Sequence, residues 1–303
     1  MPGEPADATY ASIRDTRVRY TDTGGDKPPV VMLHGFASAL ETWTGVTKKL
    51  ESTHRVIALD LKGFGWTSRP EGDYSPREQA AIVLGLMDEL GVERAAIVAH
   101  SWGSSVALQV ALTAPERVER IALYDAWVYE EQIPTAFVWS RAPLIGELIF
   151  GLFYKERPDD KIEGAFYDKS ILTHAFVEEV EHALDRPGTV AAALAAVRGQ
   201  RYADVQNDYA SIDQPVLLLW GEDDAVTTID IGHRLHHQLP NARLVTYDDC
   251  GHFPMIEAFH PSTAELAQFL APTEDPTPTG VPVVVEKPVS AEPTTQPTTE
   301  VPE

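Results

Sequence analysis

The sequence is poor in cysteine, in basic residues and in long apolar runs. Its one cysteine, Cys250, excludes an intramolecular disulfide and a metal cluster held by several cysteines. The 303 residues include 24 Lys and Arg against 46 Asp and Glu, which gives a formal net charge of −22. A chain this acidic repels a phosphate backbone and an anionic membrane surface. We therefore expect neither a nucleic-acid partner nor a membrane partner, and the oligomeric state stays open.

Two further absences bear on location. No apolar run reaches the roughly 18 residues of a membrane-spanning helix. The best candidate, residues 143–154, is short and carries Glu147. The first residues also lack the basic and then apolar layout of a signal peptide. These features predict a soluble, cytoplasmic protein.

The composition changes sharply near the C-terminus. Residues 272–303 hold eight Pro and seven Thr, with six acidic residues against one Lys and no aromatic residue. Such a segment cannot bury enough apolar surface to offset the entropy lost on ordering, so we predict a disordered tail. Without its charge of −5 the body of the chain still carries −17, so the acidity belongs to the body.

The body alternates between short apolar runs and amphipathic stretches. The apolar runs are typical of strands buried on both faces of a parallel sheet. They are residues 30–33, 56–59, 95–99, 121–124, 216–220 and 243–247. The helical stretches include residues 77–90, 102–113, 189–197, 228–238 and 261–270. Residues 10–14 and 17–22 precede them and predict an antiparallel hairpin, so we expect an α/β fold with a mostly parallel sheet flanked by helices.

One interval is longer than a simple crossover requires. About 90 residues separate the runs 121–124 and 216–220, whereas a crossover helix with its loops needs only about 30. The pattern of residues 127–207 is typical of helices, and many aromatic side chains lie in the first half of this interval. We predict a helical cap there, over the carboxyl ends of the strands, where open α/β sheets bind ligands. The predicted core then consists of residues 1–126 and 208–271.

A serine stands at the turn between a predicted strand and a predicted helix. The segment reads Ala99-His100-Ser101-Trp102-Gly103. The small residues two before and two after Ser101 let strand and helix approach closely, and the turn holds the hydroxyl above the sheet. This is the nucleophile-elbow pattern with alanine in place of its first glycine. A serine that caps the following helix is the alternative interpretation.

A serine hydroxyl is a poor nucleophile until a base accepts its proton. Two later segments supply such groups, each just after a predicted strand. Asp224 follows the run 216–220, and His252 follows the run 243–247 after a glycine. We predict that Ser101 is the nucleophile, that His252 is the base and that Asp224 orients it.

A second turn can present a backbone N–H group to the same site. The run 30–33 ends in His34-Gly35-Phe36, and the glycine turn can expose the Phe36 N–H. Together with the Trp102 N–H it would bind the oxyanion of a tetrahedral intermediate. One such donor is worth about 3 kcal/mol of transition-state stabilisation.

These segments together resemble the α/β-hydrolase fold family over residues 10–270. Within it the chain looks most like bacterial hydrolases with a serine nucleophile, such as carboxylesterases, carbon–carbon bond hydrolases and cofactor-free haloperoxidases. His34-Gly35-Phe36 matches the oxyanion segment of the family, and residues 60–70 match the loop after its fourth strand. The resemblance implies a helical cap inserted after the sixth strand, where residues 127–207 lie.

The resemblance also bears on the choice of nucleophile and acid. Ser101 replaces the aspartate nucleophile of epoxide hydrolases and haloalkane dehalogenases, so their chemistry is not expected. Asp224, third after Gly221, stands where the acid of the family normally does. Asp125 stands at a position that some members use instead, and Asp223 is adjacent to Asp224, so both stay alternatives for the acid.

Other residues that could carry chemistry are interpreted as structural. His233, His236 and His237 lie on one predicted helix, but no carboxylate pattern accompanies them, and a solvated face is expected. Cys250 is interpreted as a small buried thiol. Family patterns suggest that Glu257 is a structural partner near the site. We predict no metal and no organic cofactor.

The predicted function is acyl transfer from a small or medium, largely apolar ester or related acyl compound to water. Trp139 and Phe153 of the cap are the candidate substrate-binding residues. A carbon–carbon hydrolase of a vinylogous diketone would need the same triad and is the alternative, and a cofactor-free perhydrolase or haloperoxidase is a third interpretation. A small-molecule binding protein without turnover is the interpretation from another class, although a binding protein has no need of a complete triad.

Overall fold

The computed structural model describes residues 4–155, 162–172 and 182–271. The predicted tail, residues 272–303, lies outside the described residues, as do residues 156–161 and 173–181 of the predicted cap. None of the helices in the described ranges is long and apolar enough to cross a membrane.

Eight strands form one sheet with the spatial order β1-β2-β4-β3-β5-β6-β7-β8. Their bounds are β1 Thr9–Ile13, β2 Thr16–Asp22, β3 Pro29–Leu33, β4 Arg55–Leu59, β5 Ala95–His100, β6 Val118–Tyr124, β7 Val216–Gly221 and β8 Ala242–Tyr247. Strand β2 pairs antiparallel with β1 and β4, and every other pair in the sheet is parallel. The prediction of a mostly parallel α/β sheet after a leading hairpin is confirmed.

The central strands are buried on both faces. All six residues of β5 and all six of β7 are buried. In β5, Ile97 and Ala99 belong to the apolar cluster on one side of the sheet, whereas Ala96 and Val98 belong to the cluster on the other side. Successive side chains of a strand point to opposite faces, so a strand between two helical layers must be apolar throughout. This is why the continuous apolar runs in the sequence predict these strands.

Helices cover both faces of the sheet. Their bounds are α1 Thr44–Leu50, α2 Pro76–Glu89, α3 Gly103–Thr113, α4 Thr135–Ser140, α5 Ile145–Phe153, α6 Thr189–Gly199, α7 Ile229–Gln238, α8 Pro254–Glu257 and α9 Phe259–Leu270. The apolar faces of α2, α3 and α7 pack against one side, and those of α1 and α9 pack against the other. Helix α9 begins at Phe259, so Pro261 lies in its first turn. A proline is tolerated there because the N–H group that it lacks would have no intrahelical partner.

Helices α4, α5 and α6 all lie in the chain between β6 and β7. They pack against one another through a separate small cluster, which contains Phe150 of α5 and Ala193, Leu194 and Val197 of α6. The long interval between two neighbouring parallel strands is thus occupied by helices. Residues of α4 and α5 line the cavity described below.

Candidate active site

Ser101 lies in a strained turn between β5 and α3. Its φ of 50° is in the left-handed region, which costs a residue with a side chain about 1–2 kcal/mol. Three main-chain hydrogen bonds hold this conformation. The Ser101 N–H donates to the Tyr124 carbonyl at 2.9 Å, and the Ser101 carbonyl accepts from the Ser104 N–H at 2.9 Å and the Trp127 N–H at 3.1 Å. Residue Trp102 occupies the cap position of α3, and no side chain caps the helix. The Ser101 hydroxyl therefore does not serve as a helix cap.

The glycine two residues after Ser101 is required by the close approach of α3 to β3. A Cβ atom on Gly103 would lie 2.5 Å from the His34 carbonyl oxygen and 2.8 Å from that of Leu33. Both atoms belong to the main chain, so neither can move aside cheaply. The small residue that the elbow pattern calls for thus has a direct steric reason.

The side chain of His252 is held by Asp224. The distance from His252 Nδ1 to Asp224 Oδ2 is 2.7 Å, and both residues are buried. The same carboxylate accepts hydrogen bonds from the Val226 N–H at 2.7 Å, the Thr227 N–H at 3.0 Å and the Thr227 hydroxyl at 2.6 Å. Burial raises the pKa of Asp224, but the charge of His252 and these hydrogen bonds outweigh it and hold that pKa below its usual value.

The ionised state of Asp224 determines the tautomer of His252. An ionised carboxylate only accepts hydrogen bonds, so His252 Nδ1 must be the donor. In the neutral ring this leaves the lone pair on Nε2 available to accept a proton. Asp223, the adjacent alternative, is exposed and is not the hydrogen-bond partner of His252.

Asp125, the other alternative acid, is fully buried behind this pair. Its Oδ1 accepts a hydrogen bond from the Gly221 N–H at 3.0 Å. Burial, together with the negative charge of the nearby Asp224, raises the pKa of Asp125 well above its usual value. The Nδ1 atom of His252 lies 2.7 Å from Asp224 Oδ2, and no hydrogen bond among the described residues joins it to Asp125. The geometry therefore favours Asp224 over Asp125 as the acid.

His100 contacts the main chain of His252 and was not singled out from the sequence. Its Nε2 lies 2.8 Å from the His252 carbonyl oxygen. Burial and the charge of His252 lower the pKa of His100 well below its usual value, so this ring is neutral and its Nε2–H donates to that carbonyl. His100, Asp125 and His252 bring possible metal-ligating atoms within 4.8 Å of one another.

The two predicted oxyanion donors line the cavity beside Ser101. Neither the Phe36 N–H nor the Trp102 N–H donates a hydrogen bond to an acceptor in the described part of the chain. The ring of His34 fixes the first turn, because its Nδ1 lies 2.7 Å from the Gly35 carbonyl oxygen and its Nε2 accepts from the Leu61 N–H at 3.0 Å. These two N–H groups therefore stay candidates for binding an oxyanion.

Ser101 and His252 lie on the wall of one cavity of about 570 Å³. No hydrogen bond joins the Ser101 hydroxyl to the His252 ring within the described ranges, and such contacts often tighten only when substrate binds. Most of the wall is apolar, and no Asp, Glu, Lys or Arg among the described residues lines it. The cavity is therefore suited to a neutral, largely apolar ligand.

The two predicted substrate-binding aromatics lie in different places. Phe153 of α5 lines the cavity, whereas Trp139 of α4 does not line it and is 62% exposed. The structure thus places Phe153, but not Trp139, on the cavity wall. Phe137 lines the cavity instead, and two residues further along a helix the side chain has turned by about 200° to the opposite face. The helical pattern of the sequence did not indicate which face of α4 points inward.

Other residues considered from the sequence lie away from the cavity wall. Cys250 is buried, and burial raises the pKa of its thiol above the usual value. His233, His236 and His237 lie on or beside the exposed side of α7 and form no metal-binding group among the described residues. Thr227 was missed, although a threonine three residues after a candidate acid is a usable signal for such a hydrogen bond.

Comparisons with known proteins identify the fold family of this chain. A family model described as the alpha/beta hydrolase fold matches residues 28–259. A hydrolase of Paraburkholderia phymatum named for 2-hydroxy-6-oxononadienedioate and 2-hydroxy-6-oxononatrienedioate is 29% identical over 282 residues, which are 88% of this chain and 96% of that protein. An uncharacterized protein of Mycobacterium tuberculosis is 31% identical over 255 residues, 80% of this chain and 74% of that protein. The solved structure of a meta-cleavage product hydrolase from Pseudomonas fluorescens superposes with a TM-score of 0.73 at 26% identity, over 86% of this chain and 96% of that one.

Proposed function

Because the chain belongs to the alpha/beta hydrolase fold family, we propose that it is a serine hydrolase that cleaves a small to medium, largely apolar ester through an acyl-enzyme. The observation that carries this proposal is the 2.7 Å hydrogen bond between His252 and Asp224, beside a cavity that also exposes Ser101. A base that is oriented by a carboxylate and a serine on a strained turn are the parts that acyl transfer needs.

In the proposed mechanism Ser101 Oγ attacks the carbonyl carbon of the ester while His252 Nε2 accepts its proton. Asp224 stabilises the imidazolium that forms, and the N–H groups of Phe36 and Trp102 bind the oxyanion. The tetrahedral intermediate then collapses, and His252 gives the proton to the departing alcohol. Water, deprotonated by His252, releases the acid from Ser101 in the same manner. Every step uses groups of this chain, the ester and water.

The cavity supports an apolar acyl group. Each buried methylene of such a chain contributes about 0.8 kcal/mol of favourable transfer free energy. A charged group would lose its hydration without gaining a partner, since no formally charged Asp, Glu, Lys or Arg in the described ranges lines the wall. This contrast favours a neutral acyl chain over a carboxylate-bearing one.

We further propose that residues 127–207 act as a cap over Ser101 and that residues 1–126 and 208–271 form the core. Phe137 of α4 and Phe150 of α5 line the same cavity as Ser101, which supports this division. The acyl group would then lie between the cap and the carboxyl ends of the strands.

A carbon–carbon hydrolase is the second candidate. It is favoured by the Paraburkholderia phymatum relative, whose named substrates are dioates and so carry two carboxylates. Two carboxylates in an apolar cavity require cationic partners. The cavity wall offers none among the described residues, and we therefore place the ester first.

The decisive experiment uses p-nitrophenyl esters of increasing chain length, the dicarboxylate 2-hydroxy-6-oxononadienedioate and a fluorophosphonate probe. We expect ester turnover, labelling of the serine, and a loss of turnover of at least roughly 10³-fold in Ser101→Ala. Ser104→Ala is the matched control. Ser104 is a buried serine near the start of α3, the helix that follows Ser101, and its hydroxyl has no partner in the described part of the chain.

Each other result has a definite meaning. Turnover of the dicarboxylate alone would replace the ester by the carbon–carbon bond substrate. Absence of both labelling and turnover would favour a binding protein. Turnover that survives in Ser101→Ala would remove Ser101 from the mechanism.

A further inference from the structure

His100 is the last residue of β5 and directly precedes Ser101 in the chain. The residue is only 1% exposed and does not line the cavity. Its Nε2–H donates to the His252 carbonyl oxygen at 2.8 Å, whereas its Nδ1 has no hydrogen-bond partner in the described part of the chain. Within the described residues, the bond to His252 is therefore the one hydrogen bond that this buried polar ring makes.

The main chain of His252 is held on both sides. Its N–H donates to the Ala165 carbonyl at 2.8 Å, and its carbonyl accepts from His100. No backbone N–H group of the described residues donates to that carbonyl, so His100 is the donor that satisfies it. Asp224 fixes the direction of the His252 ring through Nδ1. The main-chain position of the base and the direction of its ring thus depend on different residues.

His100 also contacts the turn that carries a candidate oxyanion donor. A Cβ atom on Gly35 would lie 3.0 Å from His100 Nδ1 and 3.1 Å from Ser101 Cβ, which shows how closely this turn approaches both residues. On its other side, the centroid of the His100 ring is 4.7 Å from that of the His252 ring. The side chain of His100 therefore packs between the turn before Phe36 and the candidate base, while its backbone continues into the candidate nucleophile.

An apolar side chain could fill the space of this ring without the cost of taking an imidazole out of water. It could not supply a donor to the His252 carbonyl, and that carbonyl would then be left without a partner. The hydrogen bond of His100 connects the residue next to the nucleophile to the residue that carries the base. Such a connection matters for catalysis, because a misplacement of about 1 Å between reacting groups can cost about 10²-fold in rate.

We propose that His100 is a positioning residue that sets the distance between Ser101 Oγ and His252 Nε2 by holding the main chain of the base. This inference rests on the proposed function and deepens it, since it assigns a role to a residue that touches no substrate. Proton transfer requires the two atoms to come within hydrogen-bond reach of each other. The role of His100 is therefore expressed in the proton-transfer steps and not in the affinity for substrate.

The test compares two substitutions of similar length. His100→Met removes the N–H donor, whereas His100→Gln keeps an amide N–H at about the reach of the imidazole Nε2. In His100→Met, kcat/KM for p-nitrophenyl hexanoate should fall by about 10²-fold, and His100→Gln should restore most of it. Calorimetry in the Ser101→Ala background should show that His100→Met leaves the affinity for ethyl hexanoate unchanged.

A second ester distinguishes misplacement of the base from a loss of folded protein. The alkoxide that leaves ethyl hexanoate must take a proton from His252, whereas p-nitrophenolate leaves without one. In His100→Met, the ratio of kcat/KM for the p-nitrophenyl ester to that for the ethyl ester should therefore rise by about tenfold or more, since such a proton transfer contributes about 10²–10⁴-fold. A smaller folded fraction would lower both values by the same factor and leave the ratio unchanged.

His54→Met is the matched control. His54 is also a buried histidine whose Nε2 donates to a main-chain carbonyl, that of Leu270 at 3.2 Å. It precedes β4 at the amino ends of the parallel strands, whereas Ser101 follows the carboxyl end of β5. His54→Met should lose stability and keep the wild-type ratio of the two esters. A rise in that ratio as large as in His100→Met would show a general effect of a lost hydrogen bond and would overturn the inference.

The remaining outcomes separate this inference from the proposed function. Wild-type ester turnover with an unchanged ratio in His100→Met overturns the inference and leaves the proposed function standing. If esters are not turned over but the fluorophosphonate probe labels Ser101, slower labelling in His100→Met than in His100→Gln supports the inference and equal labelling overturns it. Absence of both turnover and labelling in the wild type overturns both. Should His100→Met not fold, His100→Asn takes its place, because its shorter amide does not reach the His252 carbonyl, and the same ratio decides.

Discussion

The N–H group of Tyr167 donates a hydrogen bond of 2.7 Å to the carboxylate of Glu257, which lies 90 residues further along the chain. The other oxygen of that carboxylate accepts from the Gly251 N–H at 3.1 Å. Beside this link, the His252 N–H donates to the Ala165 carbonyl at 2.8 Å. Glu257 thus joins the segment between α5 and α6 to the loop that carries the candidate base. Sequence patterns suggested only a structural partner near the site.

Removal of this carboxylate should loosen both segments. In Glu257→Ala the free energy of unfolding should fall by about 1–3 kcal/mol, because backbone N–H groups lose their acceptor. Hydrogen exchange at the Tyr167 and Gly251 amides should accelerate. Glu163→Ala is the control, since Glu163 pairs with Lys169 at the surface across 3.6 Å. Unchanged exchange at both amides would show that the carboxylate does not hold these segments together.

Substitution by asparagine should affect catalysis differently at the two buried aspartates, Asp224 and Asp125. Asp224→Asn should lower kcat for esters by about 10⁴-fold, because the amide favours the wrong tautomer of His252. Asp125→Asn should keep most of the turnover, since the asparagine oxygen can still accept the hydrogen bond from the Gly221 N–H. Steady-state kinetics on the two purified variants measures both effects. The reverse result would make Asp125 the acid.

Asp125 should also make stability depend on pH. Its pKa in the folded chain lies well above the usual 3.8, so the folded state keeps a proton that the unfolded state releases between the two values. Stability therefore falls as pH rises through this window, and the effect is absent below the unfolded-state pKa. Asp125→Asn removes this pH-dependent contribution to stability, because an asparagine side chain does not titrate. Urea unfolding at a series of pH values should show that Asp125→Asn gains stability over the parent from about pH 4 upward, and a constant difference at every pH would contradict the raised pKa.

The close approach of α3 to β3 should make Gly103 intolerant of a side chain. Gly103→Ala should destabilise the fold by about 1–3 kcal/mol, because its Cβ would lie 2.5 Å from a main-chain oxygen. Gly151→Ala is the matched control on α5, where a Cβ meets nothing within 4 Å and alanine favours the helix. Chemical denaturation of both variants measures the difference. Equal stability in the two variants would mean that strand and helix can separate at little cost.

Two aromatic residues of similar exposure should differ in their effect on substrate choice. Phe153 is 60% exposed and lines the cavity, whereas Trp139 is 62% exposed and does not. Phe153→Ala should change the ratio of kcat/KM between short and long acyl esters by about 10-fold or more. Trp139→Ala should leave this ratio unchanged. A shift in Trp139→Ala as large as in Phe153→Ala would mean that both side chains contact the acyl group.

Local rules account for the part of the fold that the sequence alone predicts. A strand between two helical layers must be apolar on both faces, so the runs in β3, β5 and β7 are visible without coordinates. The nucleophile-elbow pattern spans only a few residues, because it consists of a strand, a small residue, a serine and a second small residue. Asp224 and His252 were likewise predicted from the strands that precede them in the sequence. Each of these inferences depends on neighbours in the chain.

Only the tertiary structure decided which groups meet across the chain. Asp125, Asp223 and Asp224 are comparable in sequence, but one of them lies 2.7 Å from His252 because loops after two different strands converge there. Likewise, helical periodicity did not distinguish Phe137, which lines the cavity, from the exposed Trp139. The physical reason is that secondary structure follows from local backbone and burial preferences, whereas burial, pairing and protonation at a site depend on contacts between segments far apart in the chain.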